Sequence, residues 1–539
     1  MSEIILVLPV LLPIVSGLAM LFHRSGGETG WTRNRAFLTA GLVLLNSLIV
    51  AVILAGGVDG ERRLVVFRLY SSLTVMFKLD RMGAVFAGLV AFLWPLATLY
   101  AFEYMEHEER RNTFFAFYLM TYGVTMGIAL AGTLVTLYLF YEMLTFVTLP
   151  LVLFTLTPEA VRASRAYLYY SIGGAAFAFI GLVFVLGYSS IETSEFVAGG
   201  MLDLARAGEN RNILLLAYVM AFFGFGVKAA LFPCYRWLPK AAVAPTPVTA
   251  LLHAVAVVKS GAFAILRLTY FSFGIGFLKG SWAQWVVMTA AMVTILFGSS
   301  MAVKEVHWKR RLAYSTVSNL SYILFGAALM TPFGLAAALS HMVAHAFMKI
   351  SAFFCAGAVM HKSGKTYIYQ LDGMGRKMPV TFGCLTAASL SLMGIPLFAG
   401  FVSKWNLAQA ALACGDLAGT TGLEAGPGAV GRWLPCAGVV VILISALLTG
   451  IYMMTVLVRA YFPKAAQAAE AMVPGSSREG EPAEPDMASE ETNGGIDVTD
   501  PTWRMLVPLV IFTVVIVVIG VHSAPLMEIL MRIGGEVGQ

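Results

Sequence analysis

Six uncharged apolar runs constrain this chain more than any other feature: Ile4 to Phe22, Ala36 to Val58, Met82 to Phe102, Ala166 to Ile191, Gly280 to Val303 and Trp433 to Val458. A helix needs about 20 apolar residues to cross a bilayer. In hydrocarbon a helix satisfies its own backbone, so runs of this length form spanning helices. Over 539 residues, 59% are hydrophobic and 12% charged, with a mean hydropathy of +0.80, which places the chain among all-α polytopic membrane proteins. Asn112 to Pro158 holds a single charge, Glu142, and has room for two spans turning near Ala131-Gly132. With interrupted runs included, the length rule gives about fourteen transmembrane helices. The opening Met-Ser-Glu lacks the basic flank of a cleavable signal, so the first run is expected to remain as a helix.

Basic loops resist translocation. Loops after odd-numbered helices carry 21 of the 36 Lys and Arg residues, and the even loops with the carboxy terminus carry 11. Both termini are therefore expected on the non-cytoplasmic side. Topology accounts for most of the net charge of +6, so no nucleic-acid partner is implied. The five cysteines form no CxxC pair, and no GxGxxG or GxxxxGK[ST] occurs, so no disulfide framework, iron-sulfur site or nucleotide site is indicated. Any redox chemistry belongs to another chain. Ala465 to Asp500 is rich in Glu, Asp, Pro, Gly and Ser, the composition of a solvated linker, although its acidity would also suit a partner surface.

Four lysines lie inside the spans, Lys228, Lys259, Lys349 and Lys404, together with Glu142, His253, His341 and His345. A charge at bilayer depth costs about 2.5 to 3.5 kcal/mol or more, so such residues mark a pathway or a tight ion pair. Four amines against one carboxylate cannot all pair. Amines in that setting surrender protons readily, as a proton carrier must. Taken singly, Lys228 or Lys404 could snorkel and His253 could bridge helices. His341, His345 and Lys349 recur at i, i+4 and i+8, within about 80° of one helical face. A metal at His-x3-His lacks a third ligand nearby. His253 and Lys259 stand about 120° apart on an ideal helix and share a face only if the helix is distorted.

In "FGVKAALFPCYRW", Pro233 predicts that the seventh helix breaks or kinks just after Lys228. In "LMGIPLFAGFVSKWN", Gly394 and Pro396 interrupt a second helix before Lys404. Freed backbone is tolerated at that depth only where protein or water satisfies it. Two broken helices, each bearing a lysine, suggest a structural repeat with transport sites at the breaks.

"YEMLTF", "VKAALFPCYRWLPKAAVAPTPVTALLHAVAVVKSGAF", "KRRLAYSTVSNLSYI", "HMVAHAFMK" and "GIPLFAGFVSK" resemble the antiporter-like subunits of respiratory complex I, membrane-bound hydrogenases and Mrp-type sodium/proton antiporters. The resemblance runs from about Asn112 to Tyr461. It implies two inverted five-helix repeats, each with a broken helix. The implied organisation is helices 1–3 in residues 1–111, one repeat in 112–270, the other in 280–462, an acidic cytoplasmic linker in 463–502 and a last helix in 503–539. Glu142 matches the family glutamate that pairs with a lysine, here Lys228. Lys259 with His253, then His341, His345 and Lys349, match relay positions, and Lys404 matches the terminal basic residue. The family's longest member adds a lateral helix, which a chain ending at Gln539 is not expected to carry.

The function implied is that of a proton-translocating subunit of a complex I-like NADH:quinone oxidoreductase, an enzyme subunit without a redox site of its own. Flavin and iron-sulfur clusters are expected in partner subunits, and neighbouring antiporter-like membrane subunits are expected beside it. The expected location is a bacterial or archaeal cell membrane. The alternatives are membership of an Mrp-type sodium/proton antiporter, membership of a membrane-bound hydrogenase, and a structural segment whose charges have lost function.

Overall fold

The computed structural model describes residues 3–22, 33–58, 62–70, 73–190, 194–420, 430–463 and 498–538. The acidic segment, up to residue 497, lies outside them. The main helices are α1 (Leu8–Phe22), α2 (Arg33–Ala55), α3 (Arg81–Tyr104), α4 (Arg111–Ala129), α5 (Leu134–Val152), α6 (Pro158–Gly187) and α7 (Arg211–Lys228). They continue as α8 (Thr246–Ala254), α9 (Val257–Arg267), α10 (Trp282–Lys304), α11 (Trp308–Ala328), α12 (Pro332–Ser363), α13 (Pro379–Met393) and α14 (Ala399–Thr420). Last come α15 (Val430–Tyr461), α16 (Trp503–Val521) and α17 (Ala524–Val537). Among the described residues, ten helices are long and apolar enough to cross a membrane, α8 and α9 counting as one, and two shorter apolar helices join them.

The expected turn between α4 and α5 falls at Ala131-Gly132. The chain is not purely α-helical, however. Between α2 and α3 an antiparallel hairpin pairs β1 (Arg63–Tyr70) with β2 (Leu73–Lys78). The hairpin is held by the end of the bundle: Lys78 N–H donates to Leu130 O, Gly132 N–H to Met76 O, and Thr133 Oγ1 to Thr74 O.

Burial sorts the helices into an interior and a wall. The apolar window of α12 is 100% buried, as is that of α8–α9, against 28% for α2 and for α16. Helix α12 runs 32 residues, about 48 Å. Thr331 caps its first turn through Gly334 N–H, Pro332 occupies the first helical position, and Gly364 ends it at φ 70°, the sequence signals of a clean start and stop. Most of the titratable residues singled out above lie on these enclosed helices.

Several basic residues assigned to loops are in fact buried in helices. Arg267 is fully enclosed at the end of α9, and Lys309 and Arg311 are buried in the first turn of α11. Each has partners that sequence spacing does not reveal. Arg267 holds the Asp80 carboxylate through two bonds of 2.5 and 2.7 Å, Lys309 donates to Ala244 O, and Arg311 donates to Tyr452 O and Thr455 Oγ1. Other basic residues of the odd loops do gather: Arg162, Arg236, Lys240 and Arg310 line one polar cleft of about 710 Å³ with Glu159 and Glu305.

Candidate functional site

Helix α7 stops at Lys228, as expected, and the chain turns through Ala230 at φ 56° before a short helix resumes at Trp237. The break puts a fully buried ammonium at a helix end. Lys228 donates to the Tyr141 carbonyl on α5, and its nitrogen lies 3.5 Å from the centroid of the Tyr141 ring. The next residue on α5 is Glu142. Among the described residues no ion pair joins Glu142 to Lys228 within 4.0 Å, and Glu142 Oε1 is enclosed without a hydrogen-bond partner. The expected ion pair of Glu142 and Lys228 is therefore not made in this structure.

Helix eight is also broken, at a place where no proline or glycine announced it. Between α8 and α9, Val255 (φ −130°, ψ −60°) and Ala256 (φ −82°, ψ −80°) leave helical geometry. This distorts the chain between His253 and Lys259, but no hydrogen bond joins the two. His253 packs 5.0 Å from the Phe353 ring of α12, with both ring nitrogens buried and unpartnered. Gly261 lets α9 cross the end of α7: a Cβ there would lie 2.7 Å from Ala229 N and 3.0 Å from Lys228 Cβ.

Lys259 reaches α12 and hydrogen-bonds His345 Nδ1. With Lys259 charged, that nitrogen must accept, so the proton of His345 sits on Nε2. The His345 and His341 rings lie 5.9 Å apart at 23°, and His341 Nδ1 bonds Ser403 Oγ at 3.0 Å. Ser403 precedes Lys404 on α14, just past the second expected break. There α13 ends at Gly394, φ 91°, and α14 begins at Ala399. Lys404 donates to the carbonyls of Leu392 and Met393 at 2.6 and 3.3 Å, and its nitrogen is 5.4 Å from the Tyr322 ring centroid.

Lys349 departs from this string. It shares the helical face of the histidines, but its ammonium turns to α11, donating to Ser315 Oγ at 2.6 Å and Leu312 O at 3.2 Å. The structure thus makes two hydrogen-bonded pairs, Lys259 with His345 and His341 with Ser403, sets the two imidazoles against each other without a hydrogen bond between them, and ties Lys349 to another set of groups on α11. Tyr141, Ser315, Tyr322 and Ser403 do not stand out in the sequence because neutral residues carry no excess cost in an apolar run; only tertiary proximity identifies them.

Residues 131–422, more than half of the chain, match the family model described as NADH:quinone oxidoreductase/Mrp antiporter, TM. Residues 70–115 match that of NADH-Ubiquinone oxidoreductase (complex I), chain 5 N-terminus. NADH-quinone oxidoreductase subunit N of Desulforudis audaxviator is 34% identical over 396 residues, covering 72% of this chain and 74% of that protein. A polypeptide of a probable K(+)/H(+) antiporter of Rhizobium meliloti is 32% identical over 75% of this chain, which spans 39% of that longer protein. Among solved structures, chains of the membrane-bound sulfane sulfur reductase, an archaeal respiratory membrane complex, and of the Mrp complex from Dietzia sp. superpose at a TM-score of 0.77. Each is 21% identical, with 100% of this chain and 98% of the other covered.

Proposed function

The chain belongs to the NADH:quinone oxidoreductase/Mrp antiporter transmembrane family, and we propose that it is a proton-translocating membrane subunit of a redox-driven complex of the NADH:quinone oxidoreductase type. The observation that carries this reading is the enclosed row of amines and imidazoles, Lys228, Lys259, His345, His341 and Lys404, set at the breaks of three helices and on fully buried α12. Orphaned polar atoms accompany the row: Glu142 Oε1, both nitrogens of His253, Nε2 of His341 and of His345, and Ser260 Oγ. Buried polar groups require partners, and ordered water is the partner that fits such a line.

In this reading Glu142 and Lys228 form the switch. At about 4 Å two opposite charges attract by about 4 kcal/mol at an effective dielectric near 20. Closing this pair strengthens the hold of Lys228 on its proton, and opening it releases the proton toward Lys259. His345 and His341 pass the charge on, and Lys404 exchanges it at the far end. The fourteen-span count, the two inverted repeats over 112–270 and 280–462, and both termini outside the cytoplasm of a bacterial or archaeal cell belong to the same proposal. Flavin and iron-sulfur clusters then reside in partner subunits, beside further antiporter-like chains. The test is Lys228→Met in the assembled complex reconstituted into liposomes: protons moved per electron fall, and an unchanged ratio with assembly intact would falsify the role.

The relatives named as antiporter components support a second reading, cation/proton exchange without electron transfer. Sodium- or potassium-dependent proton exchange in vesicles lacking any reductant distinguishes it.

A further inference from the structure

Four hydroxyl and amine groups outside the histidine string are joined in a single donor order. Lys349 donates to Ser315 Oγ at 2.6 Å, so the hydroxyl hydrogen of Ser315 is free to point at Tyr452 Oη, 2.5 Å away on α15. Tyr452 donates onward to Thr449 Oγ1 at 3.2 Å, and Thr449 to Ser445 O at 2.8 Å. Every member is buried. The neighbouring Ser445 and Ser299 hydroxyls are themselves bonded at 2.6 Å, which extends the polar lining to α10. Arg311 fixes this part of α15 by donating to Tyr452 O and to Thr455 Oγ1.

We propose that Ser315, Tyr452 and Thr449 form a proton-carrying arm of Lys349, separate from the histidine string. The proposal rests on the proton-translocating reading of this chain. One proton leaves Lys349 Nζ for Ser315 as the hydroxyl protons of Ser315 and Tyr452 each shift one place, and Thr449, its hydroxyl turning from the Ser445 carbonyl, gives its own to a water molecule as acceptor. The hydroxyls then rotate back, and no bond between heavy atoms changes. Lys349 thereby exchanges charge with α11 and α15 through hydroxyls.

Hydroxyls of this kind also hold membrane helices together, so the test must separate transfer from adhesion. Tyr452→Phe, Ser315→Ala and Ser315→Thr are compared in the assembled complex in liposomes, with size-exclusion chromatography confirming assembly. A positioned proton relay contributes about a hundredfold or more. Tyr452→Phe and Ser315→Ala are expected to slow translocation at least tenfold and to change its solvent deuterium isotope effect, while Ser315→Thr, which keeps the hydroxyl, restores both. Parental translocation in Tyr452→Phe and Ser315→Ala alongside a defective Lys349→Met overturns the arm and leaves the wider reading standing. Parental translocation in Lys349→Met and Lys228→Met as well overturns both. Equal losses in Ser315→Ala and Ser315→Thr with an unchanged isotope effect assign the hydroxyls to adhesion and overturn the arm.

Discussion

Replacing Asp80 exposes how α9 is anchored. The Arg267 guanidinium has no exposed surface, while the Asp80 side chain is 21% exposed. Three rings, Phe196, Phe263 and Phe271, lie 5.1, 5.1 and 4.8 Å from the guanidinium carbon. Asp80→Ala leaves that cation in an aromatic cage without its counter-ion, which costs about 3 to 5 kcal/mol. It also removes the cap on α3, where Asp80 Oδ1 accepts from Gly83 N–H at 2.7 Å, for about 1 kcal/mol more. Asp80→Asn keeps the cap and should be milder by about that amount. Removing both ends, Asp80→Ala with Arg267→Met, takes the stranded charge away, so the double variant should be several kcal/mol more stable than the two single losses added together. The assay is a double-mutant cycle on reversible unfolding in mild detergent, monitored by tryptophan fluorescence. Additive losses would refute the reasoning, because they would mean that the cation is equally well accommodated with and without the carboxylate.

Gly261→Ala forces the new methyl against backbone at the end of α7, so it should destabilise by about 1 to 3 kcal/mol; the same unfolding assay checks this, and a neutral result would mean that α7 and α9 do not pack so closely. Asp500 accepts from Val380 N, Thr381 N and Thr381 Oγ1 at 3.0, 3.0 and 2.7 Å, capping α13, and Asp500→Ala should cost about 1 kcal/mol with faster amide exchange confined to the first turn of that helix. His307, in the turn before α11, is pushed down to about 4, first by burial and then by Arg310 and Lys309. The unfolded chain takes up that proton near 6.5, so this contribution to stability is full above about pH 6.5 and is lost as the pH falls toward 4. His307→Gln should flatten the pH profile of unfolding in that window.

The parts of the architecture legible in the sequence are those where covalent or solvation constraints act locally. Length foretold the α4–α5 pair, because one charge in the run from Asn112 to Pro158 leaves room for two apolar helices. Gly394 and Pro396 announced the α13–α14 break, and the helix end at Lys228 was also foreseen. The break at Val255–Ala256 was not. Valines at 255, 257 and 258 weaken a helix only slightly, too weak a signal to mark a break. The hairpin was missed because β1 and β2 are too short to stand out beside spanning runs. The eight titratable residues stand out in the sequence because charge in an apolar run is conspicuous, but their contacts do not, since the turn of Lys349 toward Ser315 depends on where α11 passes.

The lysines at the two ends of the titratable set both rest on backbone carbonyls, in different settings. Lys228 donates to the Tyr141 carbonyl in the interior of α5, beside Glu142, with which it makes no ion pair. Lys404 instead rests on the last carbonyls of α13, where the aligned peptide dipoles place partial negative charge that neither titrates nor leaves. A helix end therefore faces the ammonium at one extremity of the set and not at the other, which gives the set a polarity written in backbone.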